Sequence, residues 1–239
     1  MSIQDEIKHK LQDAADKDYQ KFSARLVPGC MQKLGVRIPI LRRFAKELAQ
    51  DEKRYTAYFA YTISGAAKFN EEILLHGLTL GYIKTDTETL LSLVSRYIPL
   101  ITNWEQSDCC MSIKALGKNK ERVWEFLQPY LASEKTYYIR VALILILSFF
   151  IEKEYLPEIF STLDSISHRK NGEDYYVMMA AAWCLSVCYV KLPEQTMLYL
   201  QHNELDDKTF NTALQKIRES YRCPQAAKPV LKEMKRKPV

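Results

Sequence analysis

The chain has 239 residues with only 7 Gly and 9 Pro, which leaves room for a sizeable buried core and excludes collagen-like, disordered and turn-rich β architectures. Its 47% hydrophobic and 26% charged residues are the balance of an ordinary globular protein. The net charge of +5 is uneven: residues 21–54 hold nine Lys/Arg against three Asp/Glu, residues 208–239 hold nine against two, and residues 55–207 sum to −6, a distribution that fits either ordinary solvated helix faces or a polyanion held by two basic arms.

In chain order, the N-terminal stretch is charged and has no apolar centre, so it reads as neither a secretory signal nor an anchor. Helical periodicity is expected near 3–20, and again over 39–49, where Ile40, Leu41, Phe44, Ala45 and Leu48 recur at i, i+3 and i+4 while Arg42, Arg43 and Lys46 face outward. Further helices are expected near 70–83 and 87–98. The spacings Thr102…Glu105 and Asn103…Gln106 are overlapping capping boxes that start a helix at about Trp104, running to 116. Helices then follow near 120–131, 135–150, 156–166, 174–190, 193–201, 207–219 and 225–236.

The longest aliphatic run, Val141 to Ile151, has 11 residues against the ~20 needed to span a bilayer, so it reads as a buried helix of a cytoplasmic protein. Pro157 and Pro193 suit first helical turns, and 167–173, with Asn171-Gly172, reads as a loop. Prolines at 99, 129, 157, 193 and 224, separated by 30, 28, 36 and 31 residues, hint at repeated helix pairs. The expected fold is therefore all-α, a curved α-solenoid of helical hairpins in one domain over 1–239, frayed at 230–239.

Chemistry-bearing motifs are sparse. Cys30, Cys109, Cys110, Cys184, Cys188 and Cys223 form no CxxC pair, His9, His76, His168 and His202 lack metal-ligand spacing, and neither a nucleotide-binding loop nor a GxSxG or HExxH motif occurs. No metal and no cofactor are expected. Trp104 and Asp108, four apart, share one helix face and put a π surface beside a carboxylate, an arrangement suited to a cationic ligand. A core Trp with an Asp that complements a helix start is the structural alternative. Arg140 is the one guanidinium in an apolar helix, fitting a phosphate or a buried carboxylate, or an arginine snorkelling at the core edge. Trp183 follows three alanines.

Together, GVRIPILRRFAKEL at 35–48, Asn103-Trp104 with Asp108, Tyr138-Ile139-Arg140, DYYVMMAAAWCLS at 174–186 and TFNTALQKIRESYR at 209–222 resemble, in this order, the AlkD-type DNA alkylation-repair proteins. The resemblance implies HEAT-like repeats with a basic concave face for duplex DNA, and N-glycosylase activity on N3- or N7-alkylated purines without a metal. It makes Asp108 the catalytic carboxylate, Trp104 and Trp183 the aromatics lining the lesion nucleotide, and Arg140 the neighbouring arginine. Among the basic residues, Arg37, Arg42, Arg43, Lys46, Lys216, Arg218 and Arg222 are the expected DNA contacts of a monomeric, nucleoid-associated protein. Pro28-Gly29-Cys30 departs from the family pattern. A non-catalytic protein of the same fold, recognising branched or distorted DNA, is the alternative function, and a protein-binding scaffold a third.

Overall fold

The computed structural model describes residues 2–29, 31–169, 172 and 174–237. These residues are all-α, as expected: the sole β pairing among them is an isolated bridge between Gln32 and Phe69. Residues 1–119 and 120–239 form two compact units.

In the first unit, α1 (Ile3–Asp13) and α2 (Lys17–Leu26) replace the single helix expected near 3–20. Asp16 breaks it, because its carboxylate accepts from the N–H groups of Asp18 and Tyr19 and so starts a new helix. Then come α3 (Ile38–Leu48) and α4 (Glu52–Ile63). The latter was not expected, since EKRYTAYFAYTI carries aromatics without a clean apolar stripe. Its boundary signals are Asp51, which caps Arg54 N–H, and Gly65 at φ +78°.

Next are α5 (Asn70–Leu80), α6 (Thr87–Tyr97) and α7 (Trp104–Cys110), with a 3-10 turn at Lys114–Gly117. α7 thus stops six residues before the expected end at 116. α5 packs against α3, α4, α6 and α7 and is buried at every position. Its tightest approach is at Gly77, where an added Cβ would lie 2.4 Å from the Tyr97 ring and 2.6 Å from Cys110 Sγ. Only glycine fits there.

The second unit contains α8 (Lys120–Leu131), α9 (Thr136–Phe149), α10 (Leu156–Ser167), α11 (Tyr175–Lys191), α12 (Pro193–His202), α13 (Asp207–Glu219) and α14 (Ala227–Glu233). α11 packs against both α9 and α13. Contacts between helices two apart in sequence, here and in α3, α5 and α7, are the mark of stacked hairpins. The aliphatic run forms most of α9 and is buried from Ile139 to Leu147.

Pro157 and Pro193 stand in first turns, but Pro129 lies inside the last turn of α8 and Pro99 in a 3-10 turn. The regular proline spacing therefore does not mark equivalent positions. Instead of fraying, the segment to Lys237 is held by Arg236, whose guanidinium bonds Asn203 Oδ1 at 2.9 Å and lies 4.1 Å from the Phe210 ring centroid. The turn expected at Asn171-Gly172 and the thiol of Cys30 fall on residues outside those described. Cys109, Cys110, Cys184, Cys188 and Cys223 are free thiols. No described helix is long and apolar enough to cross a membrane.

Candidate nucleic-acid site

α7 has 7 residues, far below the ~12–15 an isolated helix needs, so its surroundings must hold it. Asn103 supplies the cap, its side-chain oxygen accepting from Gln106 N–H at 3.1 Å. Gln106 reaches back to Thr102 N–H at 2.8 Å, one residue before the cap. The spacing Thr102…Glu105 forms no box because the Glu105 carboxylate is taken elsewhere: its Oε2 accepts from Lys33 Nζ at 2.7 Å and from Asn70 Nδ2 at 2.9 Å.

Asn70 Oδ1 in turn accepts from Asn103 Nδ2 at 2.8 Å and Gln106 Nε2 at 2.9 Å. Lys33, Asn70, Asn103, Glu105 and Gln106 are all buried. Such a network is stabilising only when its members are satisfied, and here it bolts the first turn of α7 to α5. Below it, the buried Glu71 carboxylate accepts from the backbone N–H groups of Leu34, Gly35 and Val36, the shortest at 2.7 Å. Gly35 sits at φ +86°, and an added Cβ would lie 2.3 Å from Asp16 O. The GVR motif is thus a backbone turn built around a carboxylate.

On this frame Trp104 and Asp108 are both half-exposed. Trp104 is not wholly core, and its indole N–H donates to Leu26 O at 3.0 Å, fixing the ring. Asp108 is in the last turn of α7, so it does not complement a helix N-terminus; a carboxylate there opposes the helix dipole by about 0.3–1 kcal/mol. Ser107 Oγ lies 2.8 Å from Asp108 Oδ1 and 3.0 Å from Trp104 O, so its single proton serves one or the other. Burial, followed by the nearby charges of Glu105 and Asp108, pushes the Cys109 thiol up to about 11 and keeps it protonated at neutral pH.

Arg140 and Trp183 belong to the second unit. Arg140 is buried on α9, its Nη1 donating to Tyr176 O at 2.8 Å, so the guanidinium is neither in the open nor snorkelling at an edge. Trp183 is 37% exposed on α11 and lines a groove of about 480 Å³ with Lys191, Lys216, Tyr221 and Arg222. Two expected DNA contacts, Lys216 and Arg222, are thereby brought to the expected aromatic. Tyr221, fully exposed, was missed by sequence reasoning; its place inside the TFNTALQKIRESYR motif was the available signal.

The remaining basic residues divide by their partners. Arg37 pairs with Asp16 at 2.9 Å and covers the Tyr19 ring, a structural role. Arg43 lies over the Phe44 ring, Lys46 is exposed on α3 and Arg218 is half-exposed on α13. Among the described residues no group of three or more His, Cys, Asp or Glu is placed to hold a metal ion.

Residues 7–217 match the family model described as DNA alkylation repair enzyme. No curated protein matches the chain.

Proposed function

The chain belongs to the DNA alkylation repair enzyme family, and from that premise we propose that it is an N-glycosylase releasing N3- or N7-alkylated purines from duplex DNA. The observation that carries this reading is the Asp108 carboxylate, half-exposed in the last turn of α7 and on the same helix face as a Trp fixed by its own hydrogen bond. A half-exposed carboxylate beside a fixed aromatic face suits a ligand that carries or develops positive charge.

Alkylation at N3 or N7 makes the purine cationic and already a good leaving group. As the C1′–N bond breaks, its electron pair leaves with the base, which becomes neutral, and positive charge develops on the deoxyribose. A fixed carboxylate stabilises that charge more than it stabilises the ground state. Water then adds to C1′ and releases a proton. Opposite charges ~4 Å apart at an effective dielectric of ~20 attract by roughly 4 kcal/mol, and each ~1.36 kcal/mol is tenfold in rate, so one carboxylate supplies about a thousandfold. Trp104 gives the sugar a flat wall and a π face that favours positive charge.

In the second unit, Trp183 with Lys216 and Arg222 would meet the strand by stacking and phosphate contact. Arg140, held by the Tyr176 carbonyl, contributes a fixed positive charge on α9. Incubating the protein with methylated duplex DNA and separating the released bases tests this directly. Release of alkylpurines is expected. Tight duplex binding without release would assign the chain to non-catalytic DNA recognition instead.

A further inference from the structure

Within the first unit, a cleft of about 330 Å³ is walled by Leu78 and by Cys109, the residue that follows Asp108 in α7, and rimmed by Arg42, Tyr82, Ser112 and Lys114. No carboxylate lines it. The cations of this unit with structural roles are each paired: Lys10 and Arg54 with Glu6, Arg37 with Asp16, Lys33 with Glu105. Arg42 and Lys114, both exposed, have no carboxylate within ion-pair distance among the described residues. Arg42 comes from α3, while Ser112 and Lys114 lie on the stretch that leads from α7 into the 3-10 turn, so two segments about 70 residues apart in the chain converge on one opening. Arg42 lines the cleft together with Cys109 and Cys110 of α7.

We infer that this cleft is a phosphodiester subsite in which Arg42 and Lys114 clamp one backbone phosphate of the damaged strand. A guanidinium fork, an ammonium and a hydroxyl around one opening match the oxygens of a phosphate. The inference rests on the reading that Asp108 meets a deoxyribose of duplex DNA, and it adds the device that brings the sugar there: a phosphate held beside Cys109 leaves the adjoining sugar at Asp108. It also offsets the repulsion between the Asp108 carboxylate and the strand. Free phosphate shares the chemistry, so the test separates the two sources.

The full-length protein is titrated with a duplex carrying one alkylated purine over a range of salt concentrations. The same titration is run for Arg42→Met with Lys114→Met and for the charge-preserving exchange Arg42→Lys with Lys114→Arg. Losing one phosphate contact lowers the slope of log K against log salt by about 0.9. The methionine pair is expected to show that loss with an unchanged melting curve, and the charge-preserving pair to keep the wild-type slope. Replacing single phosphates by neutral methylphosphonates should reveal one position where wild type loses about tenfold or more in affinity and the methionine pair loses nothing further.

A steep wild-type slope that the methionine pair retains overturns the subsite while leaving DNA recognition intact. A wild-type affinity insensitive to salt overturns the DNA reading itself. Competition by millimolar inorganic phosphate at constant ionic strength, lost in the methionine pair and accompanied by no methylphosphonate effect, gives the cleft to free phosphate and overturns the backbone assignment.

Discussion

Replacing Glu105 by Gln should destabilise the first unit by more than any surface substitution in it. The Lys33 and Glu105 side chains are 3% and 11% exposed with N···O 2.7 Å, so removing the carboxylate charge leaves a buried ammonium whose other recorded partner is Ser23 O at 3.3 Å. Breaking a buried pair from one side costs about 3–5 kcal/mol, a large part of the ~5–15 kcal/mol that holds a typical domain together. With a urea m-value near 3 kcal/mol/M, the unfolding midpoint should fall by about 1–1.7 M, read by far-ultraviolet circular dichroism. The paired change Lys33→Met with Glu105→Leu removes both charges. It should recover much of the loss, apart from about 1–3 kcal/mol for Asn70 Nδ2, which loses its acceptor. A Glu105→Gln midpoint within 0.2 M of wild type, taken here as about the measurement scatter, or a paired variant weaker than the single one, would refute the claim that this pair anchors α7.

His76 makes stability fall in acid: it is stacked on Phe59 at 3.8 Å, and burial, with a smaller contribution from the Arg96 charge, lowers its pKa to about 3. The unfolded chain protonates it near pH 6.5 while the native state stays neutral, so stability drops by about 1.36 kcal/mol per unit as pH falls from ~6.5 towards ~3, or about 2 kcal/mol by pH 5. His76→Gln should flatten that dependence in urea titrations at pH 7 and 5, and parallel curves would contradict it. Gly77→Ala drives a methyl into Tyr97 and Cys110 and should lower stability by about 1–3 kcal/mol despite the better helix propensity of alanine; a higher melting temperature would contradict the packing. Tyr221→Ala removes a fully exposed ring, so stability should be unchanged while duplex affinity drops several-fold. Equal affinity by fluorescence anisotropy would show that the groove beside Trp183 does not touch the strand.

The sequence made the helices legible wherever an apolar stripe or a cap announced them. Asn103…Gln106 started α7 at the expected residue, and Pro193 opened α12. α4 escaped because its aromatics pack without a stripe, and α7 ended early because Met111 onward turns into the 3-10 segment that carries Lys114. Asp108 stood out as a carboxylate near a Trp, but its place in a last turn depends on where the helix ends, which periodicity did not give. Least legible was the support. Lys33, Asn70 and Glu105 lie 35 to 72 residues apart in the chain, and each alone reads as a surface polar residue; only folding brings them to one point. Arg42 and Arg43 were likewise indistinguishable on the α3 face until the cleft separated them.

Single-turnover excision from an N7-methylguanine or N3-methyladenine duplex by wild type and Asp108→Asn measures whether Asp108 stabilises positive charge on the sugar as the base leaves. Asparagine keeps the size and hydrogen-bonding capacity and removes the charge. The excision rate should fall by about a hundred- to a thousandfold, while duplex affinity stays equal or rises, because a carboxylate facing phosphates opposes ground-state binding. An Asp108→Asn protein that excises at the wild-type rate would contradict the account.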